Sequence, residues 1–421
     1  MTQRGFVRVP GDKSISHRSL ILASLATGES RIEGILNSAD VQSTAAVLRS
    51  LGAKIPVLAG EFSITGLGLH GLTHPTAVLD AGNSGTTVRL MAGVSAACPF
   101  SSRFEGDASL SHRPMKRIAE PLKSMGARFD FANEDDGLPM TVHGGGLTGI
   151  TWNTRAASGQ TKSCILLAGL VAGVEVSVIE SRKSRDHTER MLTSLGVPVT
   201  VDELSASLMP VESLAPLDLI VPGDPSSAAY MIAFGLLQEE GEVRIPDVCI
   251  NATRIGFIEA VIAMGGDVEL IDKKAVAGDE VATIVARPSR LRDAIVGAEQ
   301  IPAMIDELPL LACVAAAAGV SLEVSDATEL RVKESDRIAT VVNNLRRIGA
   351  DVTEMPDGFK VRPGQPVFSG MVQTEGDHRI AMSFGVLAAL GGNSIDIDNR
   401  DCVAVSYPRF WADLESIRQA Q

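Results

Sequence analysis

The chain has 421 residues and a formal net charge of −13 at pH 7, with 45% hydrophobic and 21% charged residues. This length and composition predict two or three globular domains with sizeable buried cores, and they exclude a disordered chain. Aromatic residues make up only 4% of the chain. Neither base stacking with single-stranded nucleic acid nor non-specific binding to a phosphate backbone is therefore expected.

Apolar segments and cysteines indicate in which compartment of the cell the protein is found. The N-terminus MTQRGFVRVPGDK carries charges where a signal peptide needs an apolar core, and the longest uncharged apolar run, residues 308–320, is too short to span a bilayer. The five cysteines are Cys98, Cys164, Cys249, Cys313 and Cys402. They lack CxxC spacing, so neither a disulfide framework nor a zinc site is indicated. We expect a cytoplasmic protein with buried free thiols and no membrane partner.

One pattern recurs along the chain: an amphipathic helix end, a glycine and an alternating apolar run. The copies are LRSLGAKI (48–55), LKSMGARF (122–129), LTSLGVPV (192–199), IAMGGDVEL (262–270) and LRRIGADV (345–352). A left-handed glycine would end each helix and release the chain into a strand. These glycines are 69 to 84 residues apart. With LGGNSI (390–395) ending a sixth unit, the chain would hold about six repeats of roughly 70 residues.

The tetrapeptide VPGD occurs at residues 9–12 and again at 221–224. We interpret the two copies as the crossovers of a bilobal protein, where proline and glycine form the turn and the aspartate or the next serine begins a helix. A coincidental Pro-Gly-Asp turn is the alternative. The predicted lobes are residues 12–222, and residues 223–421 together with 1–11, each with three repeats and with a cleft between them.

Small polar residues and glycines are concentrated at four predicted helix starts. These are GDKSISHR (11–18), GNSGTTVR (82–89), SGQTKS (158–163) and GDHR (376–379). Unpaired backbone N–H groups and the helix dipole favour an anion there. In the first motif one phosphate could contact Lys13, Ser14 and Arg18 together. The alternative is a solvated helix start with an N-cap serine. No Walker loop or dinucleotide fingerprint is present.

Arginines are the second chemical signal. They are Arg113 in SLSHRPMKR, Arg185 in SRKSRDHTER, Arg337 in RVKESDR and Arg379 in GDHRIAM. A guanidinium group binds carboxylates and phosphates through two parallel hydrogen bonds, although a surface ion pair is the commoner role of any single arginine. In an acidic protein, the set indicates a small substrate that bears both phosphate and carboxylate groups.

Acidic residues beside these cations are the third signal. RVKESDRI places Lys333 and Glu334 next to Asp336 and Arg337, a combination suited to proton transfer or to orientation. Asp306, in IDELP before an apolar helix, is by local sequence an N-cap. Ser-His-Asp, HExxH and GxSxG patterns are missing, so a hydrolase has no support. The expected chemistry is proton transfer between anions held by arginines.

Eight motifs in register resemble the 5-enolpyruvylshikimate-3-phosphate (EPSP) synthase family over nearly the whole chain. They are PGDKSISHR, AGNSGTTVRL, SLSHRPM, SGQTKSCILLAGL, SRDHTERML, VPGDPSSAAY, LRVKESDRI and GDHRIAM. The resemblance implies an α/β protein with two lobes, each of three βαβαββ units around a pseudo-threefold axis. The implied reaction transfers the enolpyruvyl group of phosphoenolpyruvate to the 5-hydroxyl of shikimate 3-phosphate and releases phosphate, without a metal or organic cofactor.

The resemblance also implies roles for individual residues. Those expected to hold phosphoenolpyruvate are Lys13, Asn83, Gly85, Arg113, Gln160, Arg337 and Arg379. Those expected to hold shikimate 3-phosphate are Lys13, Ser14, Arg18, Ser158, Gln160, Arg185, Asp306 and Lys333. Asp306 would take the proton from the 5-hydroxyl, and Glu334 with Lys13 would move the proton at the methylene carbon. For Asp306 this role replaces the N-cap interpretation.

Three positions depart from the family pattern. Val405 stands where many members carry a lysine, so a fourth cation at phosphoenolpyruvate is not supported. Glu329 and His187 replace an asparagine and a tyrosine, as in the Bacillus-like branch, where Arg185 would contact shikimate instead. Gly85 is retained where glyphosate-insensitive members have alanine. We therefore expect glyphosate to compete with phosphoenolpyruvate.

Two other functions are alternatives at this point. The UDP-N-acetylglucosamine enolpyruvyl transferases share the fold and the chemistry, but they use a cysteine in a mobile loop, and the matching stretch EGDASLSHRPMK has none. A catalytically silent anion-binding protein, or a lobe of a larger complex, is the second alternative. The presence of Lys13, Arg113, Asp306 and Glu334 argues against it. The family expectation for oligomeric state is a monomer.

Overall fold

The computed structural model describes residues 4–132, 136–364 and 367–420. The chain divides into two compact units. The first unit comprises Gly11–Val221 and Val276–Asp279, and the second comprises the residues up to Pro10, Pro222–Ala275 and those from Glu280 onward. The chain passes from one unit to the other within each of the two VPGD tetrapeptides, after Pro10 and after Val221.

The secondary structure elements alternate along the chain. The strands are β1 Arg4–Phe6, β2 Thr27–Glu33, β3 Glu61–Leu67, β4 Leu79–Asp80, β5 Ser101–Glu105, β6 Arg128–Phe131, β7 Met140–His143, β8 Ile150–Asn153, β9 Val176–Ile179, β10 Val199–Val201, β11 Ser205–Leu208, β12 Asp218–Ile220, β13 Glu242–Cys249, β14 Asp267–Val276, β15 Asp279–Arg287, β16 Ala294–Val296, β17 Leu322–Val324, β18 Val352–Met355, β19 Gly358–Val361, β20 Ser369–Val372 and β21 Ser394–Ile397.

Helices connect most of these strands. They are α1 Lys13–Leu25, α2 Ala39–Ser50, α3 Gly85–Ala97, α4 Ala108–Ser111, α5 Lys116–Met125, α6 Gly159–Ala172, α7 His187–Ser194, α8 Pro225–Leu237, α9 Gly256–Ala263, α10 Ile301–Met304, α11 Leu308–Ala318, α12 Arg337–Arg347, α13 His378–Ala389 and α14 Phe410–Gln419. Two 3-10 helices, Thr328–Val332 and Asp401–Val405, complete the elements.

The sheets of the two units share one strand pattern. In the first unit the strand orders are β12-β2-β3, β4-β5-β7-β6 and β8-β9-β11-β10. In the second unit they are β1-β13-β15-β14, β16-β17-β19-β18 and β20-β21. Each begins with a parallel pair, as between Leu79 of β4 and Phe104 of β5. An antiparallel strand follows wherever the sheet continues, as between Ser101 of β5 and His143 of β7. The predicted α/β fold built from repeats is confirmed.

The crossovers exchange two parallel strands between the units. Strand β1 precedes α1 in the chain but pairs with β13, whereas β12 precedes α8 but pairs with β2. The glycines of both tetrapeptides lie against other chain segments. A Cβ at Gly11 would lie 2.2 Å from the carbonyl oxygen of Gly34, and one at Gly223 would lie 2.9 Å from Val9 Cγ2. The backbone at these points thus has no room for a side chain.

The predicted glycine helix ends are confirmed. Their φ angles are 97° at Gly52, 117° at Gly126, 80° at Gly196, 96° at Gly265 and 104° at Gly349. These are left-handed values, which favour glycine. The prediction for LGGNSI is wrong. This segment follows α13, which is the first helix of its repeat, and α14 is the second, close to the end of the chain.

The core of each unit is built around helices that are buried on nearly all sides. In the first unit α3 and α6 pack so closely that a Cβ at Gly93 would lie 2.2 Å from the carbonyl oxygen of Cys164. In the second unit Gly385 of α13 packs against the ring of Trp411. All five cysteines are free and four of them are buried, as predicted. Within the described part of the chain, no helix has both the length and the apolar character that crossing a membrane requires.

Candidate active site

The start of α1 carries three of the predicted site residues. Asp12 caps the helix, and its Oδ1 accepts a hydrogen bond of 2.8 Å from the backbone N–H of Ile15. Lys13 forms an ion pair with Asp40 of α2. One turn further on, Arg18 Nη1 donates to the carbonyl oxygen of Ser14 at 2.9 Å. The predicted helix start at the first VPGD copy is confirmed.

Arg18 connects α1 to two other helices of the first unit. Its side chain is buried, and Nε donates to Thr188 Oγ1 at 2.7 Å, while Nη2 donates to Ser163 Oγ at 2.7 Å. Ser163 belongs to α6 and Thr188 to α7. A guanidinium held from three sides keeps its position without a bound anion.

His17 lies at the end of a buried chain of hydroxyl groups that the sequence did not predict. Its Nδ1 is 2.6 Å from Thr44 Oγ1, and Thr44 Oγ1 is 2.7 Å from Thr87 Oγ1. Thr87 Oγ1 donates to Ser84 Oγ, the N-cap of α3, at 2.7 Å. Burial, and next the charges of Lys13 and Arg18, hold the pKa of His17 well below its usual value. The imidazole is therefore neutral, and it links the starts of α1 and α3.

The start of α3 brings Asn83, Gly85 and Arg113 together. Arg113 Nη2 donates to Asn83 Oδ1 at 2.8 Å, and Asn83 Nδ2 donates to Asp107 Oδ2 at 2.7 Å. A Cβ at Gly85 would lie 3.1 Å from Arg89 Nη1 and 3.6 Å from Arg113 Nη1. Two guanidinium groups thus border the first residue of α3, where the helix dipole also favours an anion.

Arg89 is a candidate site residue that the sequence reasoning missed. Its buried guanidinium donates from Nη1 to Gln160 Oε1 at 2.7 Å, and Gln160 Nε2 donates to Thr86 Oγ1 at 2.9 Å. Arg89 therefore fixes the orientation of the Gln160 amide. It is the last residue of the GNSGTTVR motif, and its position one helical turn after Gly85 was the available signal.

The start of α6 lies beside the segment that carries Arg185. Ser158 is the N-cap, and its Oγ accepts from the backbone N–H of Thr161 at 3.3 Å. A Cβ at Gly159 would lie 3.0 Å from the carbonyl oxygen of Arg185. The structure thus places the backbone of Arg185 against the helix start that also carries Gln160.

Arg337 is the centre of the cluster in the second unit. Its buried guanidinium contacts Asp377 Oδ2 at 2.8 Å, Asp306 Oδ1 at 3.1 Å and Glu334 Oε2 at 2.5 Å. Burial alone would lower the pKa of Arg337, but the carboxylates of Asp377, Glu334 and Asp306 raise it above the usual arginine value. The arginine is therefore permanently charged.

Asp306 lies among three cations of the same unit. Its Oδ1 is 3.4 Å from Lys333 Nζ and 3.1 Å from Arg337 Nη1, and its Oδ2 is 3.8 Å from Arg379 Nη2. The N-cap interpretation of Asp306 is wrong, because α11 begins at Leu308 and Glu307 occupies the cap position. Glu307 itself accepts from Arg379 Nη1 at 3.1 Å.

Asp377 is a second residue that the sequence reasoning missed. It caps α13 by accepting from the backbone N–H of Arg379 at 2.9 Å, and it also binds Arg337 Nε. Burial raises the pKa of Asp377, but the charge of Arg337 outweighs this and the pKa lies below its usual value. Asp377 precedes His378 in the GDHR motif, where a helix cap was predictable but its bond to Arg337 was not.

The three departures from the family pattern have defined positions. Val405 ends the second 3-10 helix and Glu329 lies in the first, and both are half-buried. His187 is fully buried at the start of α7, and its Nδ1 is 2.9 Å from Asp279 Oδ2.

Known proteins are similar to this chain over nearly its whole length. Residues 1–414 match the model of the EPSP synthase (3-phosphoshikimate 1-carboxyvinyltransferase) family. The 3-phosphoshikimate 1-carboxyvinyltransferase of Sulfurihydrogenibium sp. is 44% identical over 417 residues, which is 98% of this chain and 97% of that protein. The Bacillus velezensis enzyme of the same name is 42% identical over 414 residues, with 98% and 97% coverage.

Solved structures of enolpyruvyl transferases are also similar to this chain. The EPSP synthase of Acinetobacter baumannii has a TM-score of 0.87 at 39% identity, covering 98% of this chain and 95% of that chain. The enolpyruvyl transferase NikO of Streptomyces tendae has a TM-score of 0.74 at 17% identity, with 99% and 95% coverage. The fold is thus that of the enolpyruvyl transferases.

Within this class, the chain belongs to the EPSP synthase family. It is an enzyme that transfers the enolpyruvyl group of phosphoenolpyruvate to the 5-hydroxyl of shikimate 3-phosphate, with release of phosphate, in the shikimate pathway. The resemblance, fold class and activity expected from the sequence are confirmed.

Proposed function

We propose that the clusters described above hold the two substrates of this reaction. The residues proposed for phosphoenolpyruvate are Lys13, Asn83, Gly85, Arg113, Gln160, Arg337 and Arg379. The residues proposed for shikimate 3-phosphate are Lys13, Ser14, Arg18, Ser158, Gln160, Arg185, Asp306 and Lys333. Arg89 joins them as the residue that orients the Gln160 amide. We also propose that residues 12–222, and 223–421 with 1–11, are the two lobes that supply these groups.

The observation that carries the proposal is the set of three cations around Asp306. Lys333, Arg337 and Arg379 place positive charge within 3.1 to 3.8 Å of its carboxylate oxygens. A polyanionic substrate would meet preorganised positive charge there, next to a carboxylate that can accept a proton.

The proposed mechanism uses three side chains for proton transfer. Asp306 takes the proton of the 5-hydroxyl group of shikimate 3-phosphate while the oxygen of that hydroxyl group forms a bond to C2 of phosphoenolpyruvate. Glu334 with Lys13 delivers a proton to C3, which completes a tetrahedral intermediate. The bond from C2 to the phosphate oxygen then breaks, phosphate leaves, and the proton at C3 returns to Glu334 as the double bond reforms.

Charge at the helix starts supports the binding of two phosphate-bearing substrates. The starts of α1, α3, α6 and α13 present backbone N–H groups and the positive end of the helix dipole. The guanidinium groups of Arg18, Arg89 and Arg113 lie beside three of these starts, and they would offset the repulsion between two anions held close together.

We propose further that glyphosate competes with phosphoenolpyruvate, because Gly85 leaves room beside two guanidinium groups. In Gly85→Ala the new methyl carbon would lie 3.1 Å from Arg89 Nη1. The inhibition constant of glyphosate should therefore rise in Gly85→Ala. An unchanged constant would count against this steric explanation.

The monomeric state and the cytoplasmic location stay predictions. Sedimentation velocity tests the first, and cell fractionation tests the second.

The central test measures phosphate release from phosphoenolpyruvate with shikimate 3-phosphate in one reaction and UDP-N-acetylglucosamine in another. We expect release only with shikimate 3-phosphate, and its loss in Glu334→Ala. Full activity of Glu334→Ala or of Asp306→Ala would contradict the proposed proton transfers. Release with the sugar nucleotide would contradict the substrate.

A further inference from the structure

A buried cluster of three ionisable side chains lies behind the start of α6. Lys162 Nζ is 2.6 Å from Glu180 Oε2 and 2.8 Å from Glu189 Oε1. The side chains are only 3%, 3% and 2% exposed. Lys162 belongs to α6, Glu180 follows β9 and Glu189 lies in the first turn of α7. The cluster therefore joins three consecutive elements of the first unit.

Such a cluster is costly to bury unless its charges are matched. Burial would lower the pKa of Lys162, but the carboxylates of Glu189 and Glu180 outweigh it and raise that pKa, so the ammonium keeps its proton. Burial raises the pKa of Glu189. Of the two carboxylates, Glu180 is the nearer, and its Oε2 accepts a hydrogen bond of 2.6 Å from Lys162 Nζ. The proposed proton transfers use none of these groups, which leaves their role in the enzyme unassigned.

The cluster holds the chain segment between β9 and α7, residues 180–186. Glu180 accepts hydrogen bonds from the hydroxyl and, at 3.4 Å, from the backbone N–H of Ser184. Lys162 Nζ reaches the carbonyl oxygen of Ser184 at 3.5 Å. The part of this segment from Glu180 to Ser184 is thus bound at both ends by the same ion pair, and Arg185 is the next residue.

The segment lies directly against the helix start. A Cβ at Gly159 would be 3.0 Å from the carbonyl oxygen and 3.1 Å from the Cβ of Arg185. Ser158 precedes Gly159 and Gln160 follows it. The ion pair on one side and the glycine contact on the other therefore define where the side chain of Arg185 leaves the backbone.

We propose that Lys162, paired with Glu180, is a positioning residue that fixes Arg185 beside Ser158 for binding shikimate 3-phosphate. The inference rests on the proposed roles of Arg185 and Ser158. Lys162 does not touch the substrate. It acts by holding the turn that presents Arg185.

The test compares steady-state kinetics of Lys162→Met, Arg185→Ala and Lys54→Met. Lys54 is an exposed lysine of the same unit and serves as the matched control. For Lys162→Met we expect the KM for shikimate 3-phosphate to rise about tenfold, since a small misplacement of a binding group has effects of this order or larger. The KM for phosphoenolpyruvate and kcat should stay within about twofold of the parent. A parallel fall in kcat and rise in both KM values would show a merely structural role and overturn the inference.

Arg185→Ala distinguishes a failure of the proposed function of Arg185 from a failure of the positioning inference about Lys162. If Arg185→Ala leaves the KM for shikimate 3-phosphate unchanged, the proposed function of Arg185 is wrong. If Arg185→Ala raises that KM and a folded Lys162→Met does not, the positioning inference is wrong. If Lys162 acts through Arg185, adding Lys162→Met to Arg185→Ala should raise the KM little further. Additive effects in the double variant would contradict the inference.

Ser184→Ala keeps the inference testable if Lys162→Met fails to fold. Removing Lys162 leaves Glu180 buried without its cation, which is strongly destabilising. Ser184→Ala instead removes one hydrogen bond between the turn and Glu180 and leaves the ion pair intact. We expect it to raise the KM for shikimate 3-phosphate in the same direction by a smaller factor. An unchanged KM in a folded Ser184→Ala protein would overturn the inference.

Discussion

At the scale of single residues, the second unit depends on one buried guanidinium that several carboxylates share. Arg337 binds Asp377, Asp306 and Glu334 from different directions. The fully buried carboxylate of Asp377 would be costly without a cation. The planar five-donor group of Arg337 satisfies it together with the partly exposed carboxylates of Asp306 and Glu334. Arg337 thereby positions Asp306 and Glu334, the two carboxylates proposed to transfer protons.

Arg337→Lys should therefore impair the enzyme although it keeps the charge. A lysine offers a single point of charge and cannot reach three carboxylates with matched geometry. We expect kcat/KM to fall by roughly a hundredfold, equivalent to about 2.7 kcal/mol. Arg346→Lys, an exposed position on the same helix, is the control for the substitution itself. Comparable activity in the two variants would contradict the role of Arg337.

His17 gives a prediction about pH. Burial lowers the pKa of His17 in the folded protein, whereas in the unfolded chain it is expected near 6.5. The unfolded state then binds more protons below this value, so the contribution of His17 to the free energy of unfolding is full above pH 6.5 and declines as the pH falls. The decline is at most about 1.4 kcal/mol per pH unit.

His17→Asn isolates this effect, because asparagine does not titrate and offers a polar group to Thr44. The free energy of unfolding, measured with urea between pH 7.5 and 5, should fall less steeply for the variant than for the parent. Parallel pH profiles of the two proteins would show that His17 does not carry the expected lowered pKa.

At the scale of elements, the helix ends are specified by local chemistry. Within the described residues, seven helices end at a left-handed glycine, namely the five predicted ones together with α6 at Gly173 and α11 at Gly319, and the four polar motifs all lie at helix starts. Caps and terminal glycines depend on neighbouring residues only, so the sequence predicts them well. Asp306 shows the limit of this reasoning, since the neighbouring Glu307 occupies the cap position and Asp306 is drawn into the cluster of cations instead.

Gly349→Ala tests the terminal glycine of α12. Its φ is 104° and no heavy atom lies within 4 Å of the position that a Cβ would take, so the cost is conformational rather than steric. We expect the free energy of unfolding to fall by about 1–2 kcal/mol. Gly391→Ala is the control, because Gly391 also has open space and its φ is not left-handed. Equal stability of the two variants would contradict this explanation.

At the scale of the whole molecule, the exchanged strands make each unit depend on a distant part of the chain. Strand β1 completes a sheet of the second unit, and Val7 and Val9 are buried in the core of that unit. Gly5 also packs against Ile417 of α14. The first residues of the chain therefore stabilise a unit formed mainly by residues after 221.

Deleting residues 1–9 should destabilise the second unit first. The deletion leaves β13 with an unpaired edge and removes two core side chains, each worth on the order of 1.5–3 kcal/mol when fully buried. Limited proteolysis of the deletion variant should cut first within residues 222–420, and earlier than in the parent. First cleavage within residues 11–221 would contradict the strand exchange.

Some features of this protein were determined by the sequence alone. The helix starts, the glycine ends, the α/β repeats, the buried thiols and the family all follow from short motifs, because these depend on neighbouring residues and on patterns that repeat. Other features were decided only by the tertiary structure. These features are the pairing of β1 with β13, the ion pair between Arg337 and Asp377, and the burial of Lys162 between Glu180 and Glu189. Each of them joins residues that are not neighbours in the chain. No local pattern encodes such partners, since a buried charge selects whichever opposite charge the fold brings near it.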